Sequence, residues 1–147
     1  MVGYPTLKMR TLLLLLVVTT FLTAADKKVV APKDTKPGRP FSPGILSGGT
    51  LYISGQTGAD KTGAYAEKFE DEVKQTLANV EEVLKAGGHT FADAVAVQVY
   101  LTDMEMFARM NTVYMATFPE PRPTRTTVGV AKLVGKARIE ITVTARK

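Results

Sequence analysis

Apolar positions in this chain recur with two different periods. Phe69, Val73, Leu77, Val80 and Leu84 are spaced by four, four, three and four. Such spacing lays one apolar stripe along an α-helix, with Glu, Lys and Gln on its other faces. The helix is predicted to open near Tyr65–Glu67 and to close at Gly87–Gly88, where glycine accepts the left-handed geometry of a helix end. A second stripe, Phe107, Met110, Tyr114 and Phe118, predicts another helix after "TDME". There Thr102 is the expected cap and Glu105 completes a capping box. Pro119, Pro121 and Pro123 then stop it.

The remaining segments alternate. "TLYISGQ" from Thr50 reads as a strand, joined to "FSPGIL" by a hairpin turn at Ser47–Gly49. "DAVAVQVYL" places Val95, Val97, Val99 and Leu101 on one face and Ala94, Ala96, Gln98 and Tyr100 on the other. Two last strands run over Thr124–Lys132 and Ala137–Ala145. The order β-β-α-β-α-β-β predicts an α+β fold, with two helices covering one face of a mixed sheet.

Alternation in the last two strands raises a chemical question. Thr126, Val128 and Val130 share a face, as do Ile139, Ile141 and Val143, and these sets are assigned to the helix-covered core. Arg125 and Glu140 then share the second face of the sheet. A solvated face carrying isolated charges accounts for them as well. However, Ala94, Ala96, Tyr100 and Gly129 lie on that same face, and a mixed surface of this kind suits packing against another subunit. Arginine also offers a planar fork matched to a carboxylate, which lysine lacks.

The N-terminus reads differently. Lys8 and Arg10 precede an eleven-residue apolar run, Leu12 to Leu22, followed by "TAAD" at 23–26. A basic start, a short apolar stretch and small residues at a cut site describe a secretory signal, with cleavage after Ala25. The run is short against the roughly 20 residues of a membrane span. The chain thus divides into a signal at 1–25, a linker or arm at 26–36 and a domain at 37–147. The product is expected to be exported, periplasmic or extracellular, and free of the membrane.

Cleavage leaves a net charge of +3, a mild bias. Basic residues are dispersed, with no stripe interleaved with aromatics, so no nucleic-acid partner is indicated. The absence of cysteine excludes disulfides, thiol nucleophiles and thiolate metal sites. A single histidine, His89, excludes a His-based zinc site or a His-centred triad. Lying just past the first helix, His89 is expected to be solvated.

"PTRTTVGVAKLVGKARIEI" resembles the signature of the RidA/YjgF reactive-intermediate deaminases, also called the translation-inhibitor or L-PSP endoribonuclease family. "LYISGQTGADKTG" and "FARMNTVYMATFPEPRPTR" resemble two further segments of that family, in matching order across 37–147. The resemblance implies a chorismate-mutase-like fold, a homotrimer, and active sites in the clefts between subunits. It implies hydrolysis of amino-acid-derived enamines and imines to 2-keto acids and ammonia, without metal or cofactor. Carried over by position, Arg125 grips the substrate carboxylate and Glu140 holds or activates the attacking water. Ser54 and Asn111 line the site, and the backbone of Thr127 adds hydrogen bonds. Two positions depart from the family pattern. Phe41, in Arg39-Pro40-Phe41, replaces a tyrosine, which places it as a substrate contact without the hydroxyl. Thr127 replaces a cysteine. Two other functions fit the same residues: a trimer that binds small carboxylates without turnover, and an endoribonuclease.

Overall fold

The computed structural model describes residues 26–147, so the signal segment expected at 1–25 lies outside the described residues. Within them, six strands form one sheet against two helices. The strands are β1 (Lys28–Val30), β2 (Gly44–Ser47), β3 (Thr50–Thr57), β4 (Ala94–Leu101), β5 (Thr124–Gly129) and β6 (Ile139–Arg146). The helices are α1 (Phe69–Ala86) and α2 (Phe107–Thr117). Strand order is β1-β2-β3-β6-β4-β5. Only β4 and β5, linked through α2, run parallel; the other pairs are antiparallel. The architecture is the expected α+β one, with an extra edge strand, β1, inside the segment read as an arm.

Local chemistry explains most boundaries. Gly48 and Gly49, with φ of 56° and 76°, supply the two positive-φ residues that a tight hairpin between β2 and β3 needs. All five α1 stripe residues are buried. The helix starts at Phe69, later than expected, because Ala59 and Tyr65 pair as an isolated bridge that holds the preceding chain extended. Glu70, Asp71 and Glu72 occupy its first turn, where carboxylates oppose the helix dipole favourably.

The α2 entry differs from the expected capping box. A three-residue turn at Met104–Met106 precedes the helix, and Asp103 caps that turn by accepting from the Glu105 N–H at 2.9 Å. Thr102 is engaged elsewhere: its backbone N–H donates to the Arg138 carbonyl at 3.0 Å, joining the end of β4 to the approach to β6.

His89 is also not solvated. It is 5% exposed, and its Nδ1 hydrogen-bonds with the Gly87 carbonyl at 2.8 Å. Gly88, at φ 73°, turns the chain back at the helix end, so that the His89 N–H donates to Leu84 O. In β4, a register shift between Ala94 and Ala96 turns Val95 outward, 47% exposed, and puts Ala94 in the core.

The ladders fix which side chains share a face. Val99 lies opposite both Thr127 in β5 and Ile141 in β6, whereas Tyr100 lies opposite Val128 and Glu140. Paired residues project to the same side of a sheet. Arg125 and Thr127 therefore lie with Val97, Val99 and Ile141 on the helix side, and Glu140 lies on the outer side. The expectation that Arg125 and Glu140 share a face is overturned, as is the assignment of Thr126 and Val128 to the core; both are exposed. As the edge strand, β5 takes its facing from parallel pairing with β4, and its helix-side positions meet α2. It also ends at Gly129, with Val130 N–H donating to Leu101 O beyond it.

Candidate active site

Three of the six expected site residues gather where β5 meets α2. Arg125 Nη1 donates to Asn111 Oδ1 at 2.8 Å. Its Cζ lies 4.5 Å from the ring centroid of Tyr114 and 5.6 Å from that of Phe107. Asn111, Tyr114 and Phe107 reach it together because they lie three, four and seven residues apart along α2, on one helix face. Thr127 stands two residues along β5 on the same side, its Oγ1 buried with no hydrogen-bond partner among the described residues.

Burial pushes the Tyr114 phenol above its ordinary range, opposed by the charges of Arg125 and Arg122. The ring under the guanidinium is therefore neutral. Among the described residues no carboxylate pairs with Arg125, although Arg109 and Arg138 each have one. The arrangement holds a half-buried guanidinium by one hydrogen bond and two rings, with most of its donors left over. A carboxylate is the group that such a fork accepts in two parallel bonds.

Glu140 and Ser54 meet on the outer side, at a bulge in β3. The β3–β6 register shifts between Ile53 and Gln56, leaving Ser54 and Gly55 out of the ladder. Glu140 fills that gap. A methyl group on Gly55 would come within 1.8 Å of Glu140 Oε1, so glycine there is what admits the carboxylate. Ser54 is pinned from both its groups: its N–H donates to Pro43 O at 2.9 Å and its Oγ donates to Ser42 O at 2.7 Å. Those bonds bring the approach to β2, including Phe41, beside the bulge. Phe41 is 51% exposed, and Arg39 Cζ lies 5.9 Å from its ring.

One chain thus carries Arg125 with Asn111 and Thr127 on the helix side of the sheet, and Glu140 with Ser54 at the β3 bulge on the outer side. A cleft of about 500 Å³ lies elsewhere, between the 32–43 arm and the 59–63 loop, with Lys36, Asp60, Lys61 and Glu82 in its wall and none of the six in it.

Three features were not read from the sequence. The helical spacing of Phe107 and Tyr114 marks them as core stripe and says nothing of their contact to the cation. Gly55 carried a usable signal, since glycine inside a strand often marks a bulge or a close approach. Glu72 is completely buried: it accepts from the Arg138 backbone N–H at 2.7 Å and Nε at 2.5 Å. Arg138 also donates to the carbonyls of Ala66 and Glu67. Three residues after Phe69, Glu72 lies along the same helix stripe, a place that should have marked it.

Residues 31–147 match the family described as Endoribonuclease L-PSP. The chain belongs to this family. A RutC family protein of Pyrococcus horikoshii is 40% identical over 114 residues, covering 76% of this chain and 90% of the relative. A 2-iminobutanoate/2-iminopropanoate deaminase of Dermatophagoides farinae is 34% identical over 120 residues, covering 80% and 94%. Among solved structures, RidA from an Antarctic Psychrobacter aligns with a TM-score of 0.75 and 33% identity, covering 82% of this chain and 99% of that one. The sheet with its two helices is the chorismate-mutase-like arrangement of these L-PSP structures.

Proposed function

We propose that this L-PSP family protein hydrolyses imines and enamines of amino acids to 2-keto acids and ammonia, without a cofactor. The site is built from Arg125, Asn111 and Thr127 of one copy and Glu140, Ser54 and Phe41 of its neighbour in a homotrimer. The observation that carries this reading is the guanidinium of Arg125, pre-set by Asn111 and two rings and paired with no carboxylate among the described residues. The opposite facing of Arg125 and Glu140 supports the two-copy site, because no single chain brings them to one substrate. Kinship with a named imine deaminase supports the reaction class.

The chemistry follows from those groups. Arg125 binds the substrate carboxylate through two N–H donors, which orients the adjacent C=N carbon. That carbon is electrophilic once the nitrogen is protonated; an enamine reaches the same iminium by protonation at carbon. Glu140 accepts a proton from water as the water oxygen bonds to the carbon, giving a carbinolamine. Glu140 passes that proton to nitrogen and then takes the hydroxyl proton as the C–N bond breaks, the C=O bond forms and ammonia leaves. Water is consumed, and nothing is oxidised or reduced.

The test generates imino acids with an amino-acid oxidase and follows ammonia release with and without the purified protein. Acceleration that disappears in Arg125→Ala supports the reading. Equal rates with and without the wild-type protein would refute it. A carboxylate-binding protein without turnover gives the second outcome, together with binding of 2-keto acids that Glu140→Gln leaves intact.

We propose also that the chain is exported after cleavage at Ala25. The basic residues, short apolar run and small residues of 1–26 support this. Asp26 as the N-terminal residue of the isolated protein is the expected result, and Met1 the contrary one.

A further inference from the structure

The guanidinium of Arg125 ends a column of aromatic rings. Phe91, in the turn after α1, meets Phe118 edge to face, with centroids 4.9 Å apart and planes at 73°. Phe118 stacks on Tyr114 at 4.3 Å and 28°. Tyr114 then carries Arg125 on its face at 4.5 Å. Phe118 is 1% exposed and Tyr114 3%, so the last two rings of the column are fixed by the core. The Tyr114 hydroxyl has no hydrogen-bond partner among the described residues. The residue is thus used here through its ring, whose π face an aliphatic side chain lacks.

An arginine side chain is long, and holding it in one pose before ligand arrives is where much of a carboxylate site's affinity is decided. Asn111 restrains one terminal nitrogen only. The ring restrains the plane of the whole fork.

We propose that Tyr114 is a positioning residue for substrate recognition: its ring face sets the plane of the Arg125 guanidinium and thereby the affinity for the carboxylate of the substrate. This deepens, and rests on, the imine-hydrolysis reading. It places Tyr114 behind Arg125, without contact to the reacting atoms, so its effect falls on KM and leaves kcat in place.

The test replaces position 114 in the purified protein with phenylalanine, with mono-, di- and trifluorophenylalanine, and with leucine. Fluorination drains the ring's attraction for a cation while nearly keeping its shape, so it acts on the cation–π contact far more than a change of side-chain size would. Y114F is expected within about twofold of wild type. KM is expected to climb stepwise with fluorination, to roughly tenfold at the trifluoro ring, with kcat within about twofold. Y114L is expected to match the trifluoro variant. The fluorinated series answers the question even where Y114L does not fold. A KM that stays flat across the series overturns the proposal. An inactive wild-type protein defeats the proposed reaction instead. Calorimetric affinity for pyruvate across the same series then decides the positioning role by itself: the same stepwise order upholds it, and a flat series or no binding ends it.

Discussion

Gly55→Ala separates catalysis from folding at one atom. The added methyl would stand 1.8 Å from Glu140 Oε1 and 2.8 Å from its Cδ. Ordinary contact needs about 3.4 Å, so the carboxylate oxygen has to retreat by about 1.6 Å. Glu140 makes no side-chain hydrogen bond or ion pair among the described residues, so its carboxylate can move without breaking one. Gly55 is not among the positive-φ glycines, so alanine meets no backbone strain. Replacing glycine where the backbone permits it typically adds about 0.4–1 kcal/mol through the unfolded state. Stability should therefore stay level or rise slightly. Turnover should not, because a displacement of about 1 Å in a catalytic group can cost on the order of 100-fold. Steady-state imine hydrolysis is expected to lose about 30- to 100-fold in kcat, with KM little changed, in a protein that melts at or above the wild-type temperature. Gly58→Ala is the contrasting control: its methyl would meet Glu72 Cγ at 2.4 Å and the Glu72 backbone oxygen at 2.7 Å, which cannot rotate away, so it should destabilise. Full activity in a folded Gly55→Ala protein would refute the role given to Glu140. Loss of activity only together with loss of folding would make Gly55 a structural residue.

Three further outcomes test other parts of the structure. Arg125→Lys should lose nearly as much activity as Arg125→Ala, since an ammonium cannot make the paired bonds of the fork; near-normal kcat/KM for the lysine variant would contradict the bidentate grip. Arg138→Ala leaves the fully buried Glu72 without its cation and should lower stability by about 3–5 kcal/mol in urea unfolding; a loss under about 1 kcal/mol would show the clamp to be dispensable. The Arg109 hydrogen bonds hold the Glu70 carboxyl down at about 2, against an ordinary 4.5. A depressed carboxylate stabilises the fold above its unfolded pKa, and that contribution fades as pH falls through the folded one. Wild type should thus lose stability between about pH 4.5 and 2 more steeply than Glu70→Gln, and parallel curves would contradict it.

Much of the fold was legible in the sequence because the core-forming stripes are strong. The α1 and α2 stripes are aliphatic or aromatic at helical spacing, and the hairpin turn carries two glycines that little else could replace. The facing of β5 was not legible. Thr, Val and Gly alternate there with similar polarity, so local pattern does not say which set faces α2. The register with β4, set by a parallel pairing across a helix, decides it. Arg125 read as an outward charge for the same reason: its cover is a polar and aromatic helix face, and no aliphatic stripe announces that. Glu72 and His89 are polar side chains whose burial depends on partners distant in sequence or on a turn's handedness. The β1 strand was hidden by the prolines that follow it. Of the candidate site, the division of the residues between two faces was not legible.

The most direct test mixes two inactive variants. Arg125→Ala and Glu140→Gln are each expected to be inactive as pure trimers. If every site takes Arg125 from one copy and Glu140 from the next, refolding the two together at equal amounts restores intact pairs at about a quarter of the sites. Recovery of about a quarter of wild-type activity after subunit exchange is the predicted result. No recovery, once mixed trimers are shown to have formed, would contradict a site shared between copies.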